Sequence, residues 1–366
     1  MRMIRRFAVG VVFLVWGAAV FGEVLLDGRR SLVFDTAVGR LVVDLSGGAI
    51  GEFRSKQSEV NPLNWGRPKA GDTAIRGFGH FLCLDRWGPA SDAEAARGMP
   101  YHGEAANVEW KVAREIAEGD GVLEAEMGAK LPKSGLSVRR VVRMSRANLV
   151  FRVREEVTNE NALGRIFNIV QHPTIAPPFL DEKTIVNCNG RKGFAQGGNL
   201  PTPEEPSEMW PNARKKDGKV VDLRGLESDP DPNVVSYVID EELGWVTAAN
   251  PAQSWLIGYF WKTSDYPWVS LWRDVRDGKP AARGLEFGST GLHQPFATLV
   301  KKGRIWDRPL FEYLDAGEKM AKSYTAFLCA IPKDFKGVDS LKVEGEELKL
   351  RDGTREFSVN LKGMAE

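Results

Sequence analysis

Apolar and polar positions alternate with a period of two along much of the chain, the pattern of half-buried β-strands. It is clearest between residues 123 and 157. Leu123, Ala125, Met127 and Ala129 alternate with Glu124, Glu126 and Gly128; Val138, Val142 and Met144 share one parity; Leu149, Phe151, Val153 and Val157 share another. Turn residues at Lys133-Ser134-Gly135 and Arg146-Ala147-Asn148 separate the three runs, so the pattern predicts an antiparallel meander. Glu155 falls on the apolar parity of the third strand, and is either a strand-end residue or one that points into a polar cleft. Upstream, Leu41, Val43 and Leu45 oppose Val42 and Asp44, and Ser46-Gly47-Gly48 turns the chain into a further strand.

Downstream, VVSYVID, GWVTAAN, SWLIGYFW and WVSLWRDV read as strands dense in aromatics, and residues 282–288 and 323–331 supply the last long ones. Asp92 to Ala96 can form a short helical turn, but no 18-residue amphipathic helix and no fixed-period repeat is present. The expectation is an all-β protein, one large antiparallel β-sandwich over residues 23–366. Residues 186–235 are rich in Gly, Pro and charge and read as a long surface excursion, within which Met209-Trp210-Pro211 either anchors the loop or presents a stacking ring.

The N-terminus breaks the pattern. Arg2, Arg5 and Arg6 precede an unbroken apolar or small-residue run from Phe7 to Val20, with Val20-Phe21-Gly22 as a cleavage site. Residues 1–22 therefore read as a signal peptide, which implies an exported, periplasmic or secreted protein. The run is shorter than the ~20 residues of a membrane span, so no stable membrane insertion is expected after cleavage. With 50 Lys+Arg against 49 Asp+Glu, charge gives no case for nucleic acid. Cys83, Cys188 and Cys329 lie far apart, and an odd count leaves at least one thiol unpaired; buried inert thiols are expected. Nothing in the sequence specifies an oligomeric state.

Four histidines lie in or near loop-like stretches: His80, His102, His172 and His293. Their spacings match no short ligand motif, so no metal and no cofactor is expected. His172 is followed by Pro173, which biases it to extended geometry and places it at a strand end. Glu286, in Arg283-Gly284-Leu285-Glu286-Phe287-Gly288, is a carboxylate between apolar neighbours. It either faces solvent from a strand or projects into a cleft where desolvation tunes its pKa. The tryptophans read mostly as core, with a few able to form a stacking platform, for which Trp261 and Trp272 are the candidates.

HGEAAN at His102, the meander ending VREEVTNEN, QHP at His172 and LEFG at Glu286 occur in an order that resembles the aldose 1-epimerase (galactose mutarotase-like) superfamily, from about Leu41 to Ile331. The resemblance implies a galactose mutarotase-like supersandwich with a sugar-binding cleft across one sheet. It implies Glu286 as general base, His172 as acid, and His102 as a group holding a hydroxyl or stabilising charge on the ring oxygen. Arg76 falls where a substrate-contacting arginine stands; His80, His293 and Asp265 complete the candidate substrate-binding set, with Asp274 an alternative to Asp265. The chain departs from the family at Gln171, before the second histidine, and in FGSTGLHQPF after Glu286. The implied ligand is a sugar or oligosaccharide. The implied activity is interconversion of sugar anomers, with a non-catalytic carbohydrate-binding protein, or a polysaccharide lyase or hydrolase on the same fold, as alternatives.

Overall fold

A computed structural model describes residues 24–26, 28–197 and 208–364; the expected signal peptide lies outside them. Two large antiparallel sheets face each other. The first runs, in spatial order, through Val24–Leu26, Arg29–Asp35, Gly39–Asp44, Ile50–Ser55, His80–Asp85, Arg165–Ile175, Lys279–Gly288, Trp268–Arg276, Val234–Ile239, Gly190–Ala195 and Glu208–Met209. The second runs through Ile185–Cys188, Leu243–Asn250, Trp255–Lys262, Lys319–Ala330, Val150–Asn159, Leu136–Ser145, Val122–Leu131 and Lys111–Gly119. The expected meander is the last part of this second sheet, and the short helix Asp92–Ala96 is present. Among the described residues no helix is long and apolar enough to cross a membrane.

Strand parity decides what faces the interior. Leu82 and Leu84, Ile169, Leu285 and Phe287, and Val269 and Leu271 of the first sheet pack against Val142, Phe151, Val153, Tyr259 and Ala326 of the second. The opposite parity of the same first-sheet strands carries Phe81, Cys83, His172 and Glu286, which face outward from the sandwich yet remain buried, and the half-buried Trp272. All three cysteines are unpaired thiols; Cys83 and Cys188 are buried and Cys329 half-buried.

A charged pair is sealed between the sheets. Arg140 and Glu155 are cross-strand partners in the second sheet, and both are buried. The Arg140 Nε donates to Glu155 Oε1 at 2.8 Å, and its guanidinium lies 4.4 Å over the Trp110 ring. Glu155 thus lies within its strand and points into the core, at neither a strand end nor a cleft. Its Oε2 accepts from Gln171 Nε2 of the first sheet at 2.6 Å, which ties the two sheets together.

Three features differ from the sequence expectations. The strand bearing His172 does not end there but continues to Ile175. Pro173 instead interrupts the ladder to Lys279–Gly288 between the Gln171/Phe287 and Thr174/Gly284 pairs, because it has no N–H to donate. Residues 186–235 are no simple surface excursion. They add edge strands to both sheets and a small hairpin, Asn212–Arg214 with Val220–Asp222, while Trp210 packs edge-on against Tyr237 at 5.4 Å as an anchor. Buried Arg283 fastens the return by donating to the carbonyls of Leu223, Arg224 and Gly225. Beyond the last expected strand, Ser340–Glu344, Glu347–Asp352 and Arg355–Asn360 form a meander. Its Leu341, Leu348, Leu350 and Val359 cover Val150, Trp245, Leu256 and Phe327 on the outer face of the second sheet.

Removing one member of a buried ion pair strands the other charge in the core. Glu155→Leu alone is expected to destabilise by about 3–5 kcal/mol in urea unfolding, and Arg140→Met with Glu155→Leu together by much less. Equal costs for the single and double variants would contradict the pairing.

Candidate functional site

The covered outer face of the first sheet is the floor of a cavity of about 1070 Å³. That is at the upper end of the range for small-molecule sites. Antiparallel register builds the floor. His172 lies opposite Phe81 on one side, Glu286 lies opposite Ser270 on the other, and pairing of Gln171 with Phe287 brings His172 and Glu286 side by side. Their side chains meet, with His172 Nε2 3.3 Å from Glu286 Oε1. His172 is 4% and Glu286 2% exposed. Gly284, on the same strand face as Glu286, leaves the room: a Cβ there would stand 2.7 Å from Glu286 Oε1.

Each member of the pair has further partners. Phe81 stacks on the His172 ring at 4.3 Å, and the His172 Nδ1 is 2.9 Å from Thr174 Oγ1. The Trp87 indole N–H donates to Glu286 Oε2 at 2.6 Å. Trp87 sits just past the strand His80–Asp85, on a loop clamped by ion pairs from Asp85 to Arg165 and Arg86 and from Arg86 to Glu94. Glu94 in turn closes the capping box of the helix Asp92–Ala96 through Ser91.

His102 reaches the same floor from another loop. It has φ +66°, and its backbone N–H donates to the Gly88 carbonyl while its Nδ1 accepts from the Gly88 N–H at 3.1 Å. An acceptor Nδ1 leaves the proton of the neutral ring on Nε2, as a donor. Gly103, at φ +77°, lets this loop press on the Leu84 carbonyl, where a Cβ would collide. His293 lies 5.5 Å from His102 between ring centroids, and its Nε2 is 3.0 Å from the Tyr101 hydroxyl. Trp272, 6.1 Å from His172, and Trp65, edge-on to Trp272 at 5.7 Å, supply half-buried aromatic faces. Gln196, Lys215 and Asn233, from the segment read as an excursion, form part of the far wall.

Electrostatics follow from dryness. Burial pushes the Glu286 carboxyl up to about 8, against which the Trp87 N–H works. Burial holds His172 down to about 3 and His293 to about 4, and keeps His102 well below its ordinary value. At neutral pH the floor therefore carries one exchangeable proton between the carboxyl and the imidazole, and no net charge. Among the described residues no group of three His, Cys, Asp or Glu is placed to hold a metal ion.

Four of the nine sequence candidates, His80, Trp261, Arg76 and Asp265, do not line the cavity, nor does Asp274, the alternative to Asp265. His80 shares the parity of Leu82 and Leu84, so it faces the core between Tyr259 and Tyr324 and bonds Gln171 at 3.2 Å. Trp261 stacks on Phe287 at 4.1 Å in the core and donates to the Tyr266 carbonyl. Arg76 is tied to its own loop, donating to the Gly66 carbonyl and to Asp72. Asp265 accepts from the Ser323 N–H, and Asp274 from Arg276. His102, His172, Glu286, Trp272 and His293 converge. The sequence reading missed Trp87, Phe81 and Trp65 as site residues; Trp87-Gly88 within RWGP was the available signal, an aromatic next to a turn glycine.

These sheets form a galactose mutarotase-like β-sandwich. The chain is similar to a galactose mutarotase-like protein from Clostridium acetobutylicum at 13% identity and TM-score 0.62, covering 84% of this chain and 98% of that one. It is similar to a galactose mutarotase related enzyme from Lactobacillus acidophilus at 11% identity and TM-score 0.57, covering 86% and 100%. A galactose mutarotase-like protein from Lactobacillus casei gives 14% and 0.54, covering 82% and 100%. No family model matches the sequence, and no curated protein matches it.

A carboxyl raised on folding stabilises at low pH, and that stability is lost as pH rises from the unfolded value, about 4.3, through the folded one, about 8. Across that window the wild type is expected to lose up to about 1.4 kcal/mol per pH unit relative to Glu286→Gln, read from urea unfolding at stepped pH. Parallel pH profiles for the two proteins would contradict a protonated Glu286.

Proposed function

We propose that the cavity binds a reducing sugar and interconverts its anomers, with Glu286 and His172 as the acid–base pair. The observation that carries this reading is the 3.3 Å approach of a buried carboxyl and imidazole on an aromatic floor. Opening a cyclic hemiacetal takes a proton from the C1 hydroxyl and gives one to the ring oxygen. A catalyst therefore needs one proton and one vacancy, held together.

In the empty floor burial favours the neutral pair, with the proton on Glu286. A bound sugar brings hydroxyl donors to the carboxyl, and the proton passes to His172 across the 3.3 Å gap. The Glu286 carboxylate then takes the C1 hydroxyl proton while the His172 imidazolium gives its proton to the ring oxygen. His102, with Nε2–H as donor, holds a hydroxyl or the ring oxygen. Rotation about C1–C2 in the open aldehyde and closure by the reverse transfers give the other anomer and restore the pair. Trp272 and Trp65 offer faces for the C–H side of the ring. The fold shared with a galactose mutarotase-like protein and a galactose mutarotase related enzyme supports a sugar ligand.

The other two reaction classes fit less well. A hydrolase needs a second carboxyl across the scissile bond. The remaining carboxylates lining the cavity are Glu208, paired with Arg214, and Asp231, which accepts from the Lys216 N–H. A lyase needs a proton-abstracting base, and the Tyr101 hydroxyl is pushed up to about 12 by burial. The basic, then apolar, N-terminal segment supports export, so the reading includes a periplasmic or secreted location.

Glu286→Gln and His172→Ala should each lower anomer exchange by about 100-fold or more, measured by polarimetry on a panel of freshly dissolved aldoses. Full activity in both purified variants would remove the pair. Calorimetric sugar binding by the wild type without exchange would identify a binding protein instead.

A further inference from the structure

Donors and acceptors around the pair run in one direction. The Trp87 indole can only donate, and it donates to Glu286 Oε2 at 2.6 Å. At the far end the Thr174 hydroxyl lies 3.4 Å from the His172 carbonyl, which can only accept. With its hydrogen directed there, Thr174 Oγ1 accepts from His172 Nδ1 at 2.9 Å. The ring proton is then on Nδ1, and Nε2, without a proton, stands 3.3 Å from Glu286 Oε1. One labile position is left in the row, the proton between Oε1 and Nε2.

We infer that Trp87 and Thr174 are positioning residues that fix the carboxyl face and the imidazole tautomer, so that a single proton shuttles between Glu286 and His172. The inference rests on the acid–base reading of that pair. Trp87 occupies one carboxyl oxygen and leaves the other for His172. Its mount is rigid, since Asp85 at the end of the preceding strand and Arg86 beside Trp87 are buried in ion pairs. Thr174 shares the strand face of His172, two residues on, so strand geometry sets their spacing.

The surroundings leave the proton with these two groups. Cys83, on the strand beyond that of His172, and Tyr101, on the 101–103 loop, lie near Glu286, and burial pushes both up, so both stay protonated. His102 and His293 face His172 from two loops and are held neutral by burial. His80 and Arg140 lie behind the strand, in the core, and His80 is also neutral.

The experiment is anomer exchange across pH 5 to 10 for Trp87→Phe, Thr174→Val and Thr174→Ser, with 15N NMR of the histidine rings and 13C NMR of the Glu286 carboxyl in the same proteins. Removing an N–H donor destabilises the carboxylate, so Trp87→Phe should move the Glu286 titration, and the alkaline limb of the rate, to higher pH. Thr174→Val should release the Nδ1–H tautomer of His172 and lower kcat by about tenfold or more with KM nearly unchanged. Thr174→Ser, which keeps the hydroxyl, should restore both. An unmoved Glu286 titration in Trp87→Phe, or a wild-type His172 tautomer in Thr174→Val, would overturn the inference. Both NMR readouts are independent of turnover, so they decide the point even if the wild type shows no exchange.

Discussion

A carboxyl and an imidazole, side by side on adjacent strands and almost wholly buried, can keep a proton between them but cannot both remain charged cheaply. That constraint organises the site. Antiparallel register sets Glu286 beside His172, Gly284 leaves the space the carboxyl needs, and Phe81 covers the imidazole from the next strand. Trp87 then meets the carboxyl with an indole N–H, which makes the carboxylate attainable without making it the resting form. A site of this kind is neutral when empty and separates charge when a polar ligand arrives, which suits a reaction that removes one proton and adds another on the same molecule.

The strand Arg165–Ile175 does two jobs by parity. Val170, His172 and Thr174 face the cavity side, while Phe167, Ile169, Gln171 and Ile175 face the core. Gln171 is the inward counterpart of His172. It bonds Glu155, Tyr266 and His80, and through Glu155 reaches Arg140 in the opposite sheet. A polar network in a sandwich core costs desolvation, which its hydrogen bonds offset in part; the His80 Nδ1 is left without a partner. Here the network fixes how the two sheets sit on one another directly behind the cavity floor. The departure at Gln171 from the pattern of the family it resembles therefore falls on the core side of the strand, away from the cavity.

Much of this was legible in sequence, and the misses share a cause. Period-two alternation located the meander, and short motifs located His102, His172 and Glu286. His80 and Trp261 were misassigned because both faces of these strands are buried: apolar and polar positions no longer alternate with core and solvent, so nothing local says which face holds the cavity. His80 shares its parity with Leu82 and Leu84, and that parity was the clue. Arg76 rests on a loose alignment, and the substrate aspartate has no clear match in the sequence; Arg76 and Asp274 bond within their own segments, and Asp265 bonds Ser323. Trp87 was out of reach, because its role depends on Glu286, 199 residues further along the chain. The 186–235 stretch read as loop because its strands are short edge pieces whose apolar residues, such as Ala213, Val221 and Leu223, are few.

The most direct measurement is a crystal structure of the protein with a reducing aldose bound. The account predicts one pyranose ring on the floor, with its C1 hydroxyl and ring oxygen each within about 3.5 Å of the Glu286 carboxyl or the His172 imidazole, and an aromatic face of Trp272 or Trp65 against the ring. A sugar seated against the Lys215 wall, with water filling the space over Glu286 and His172, would contradict it.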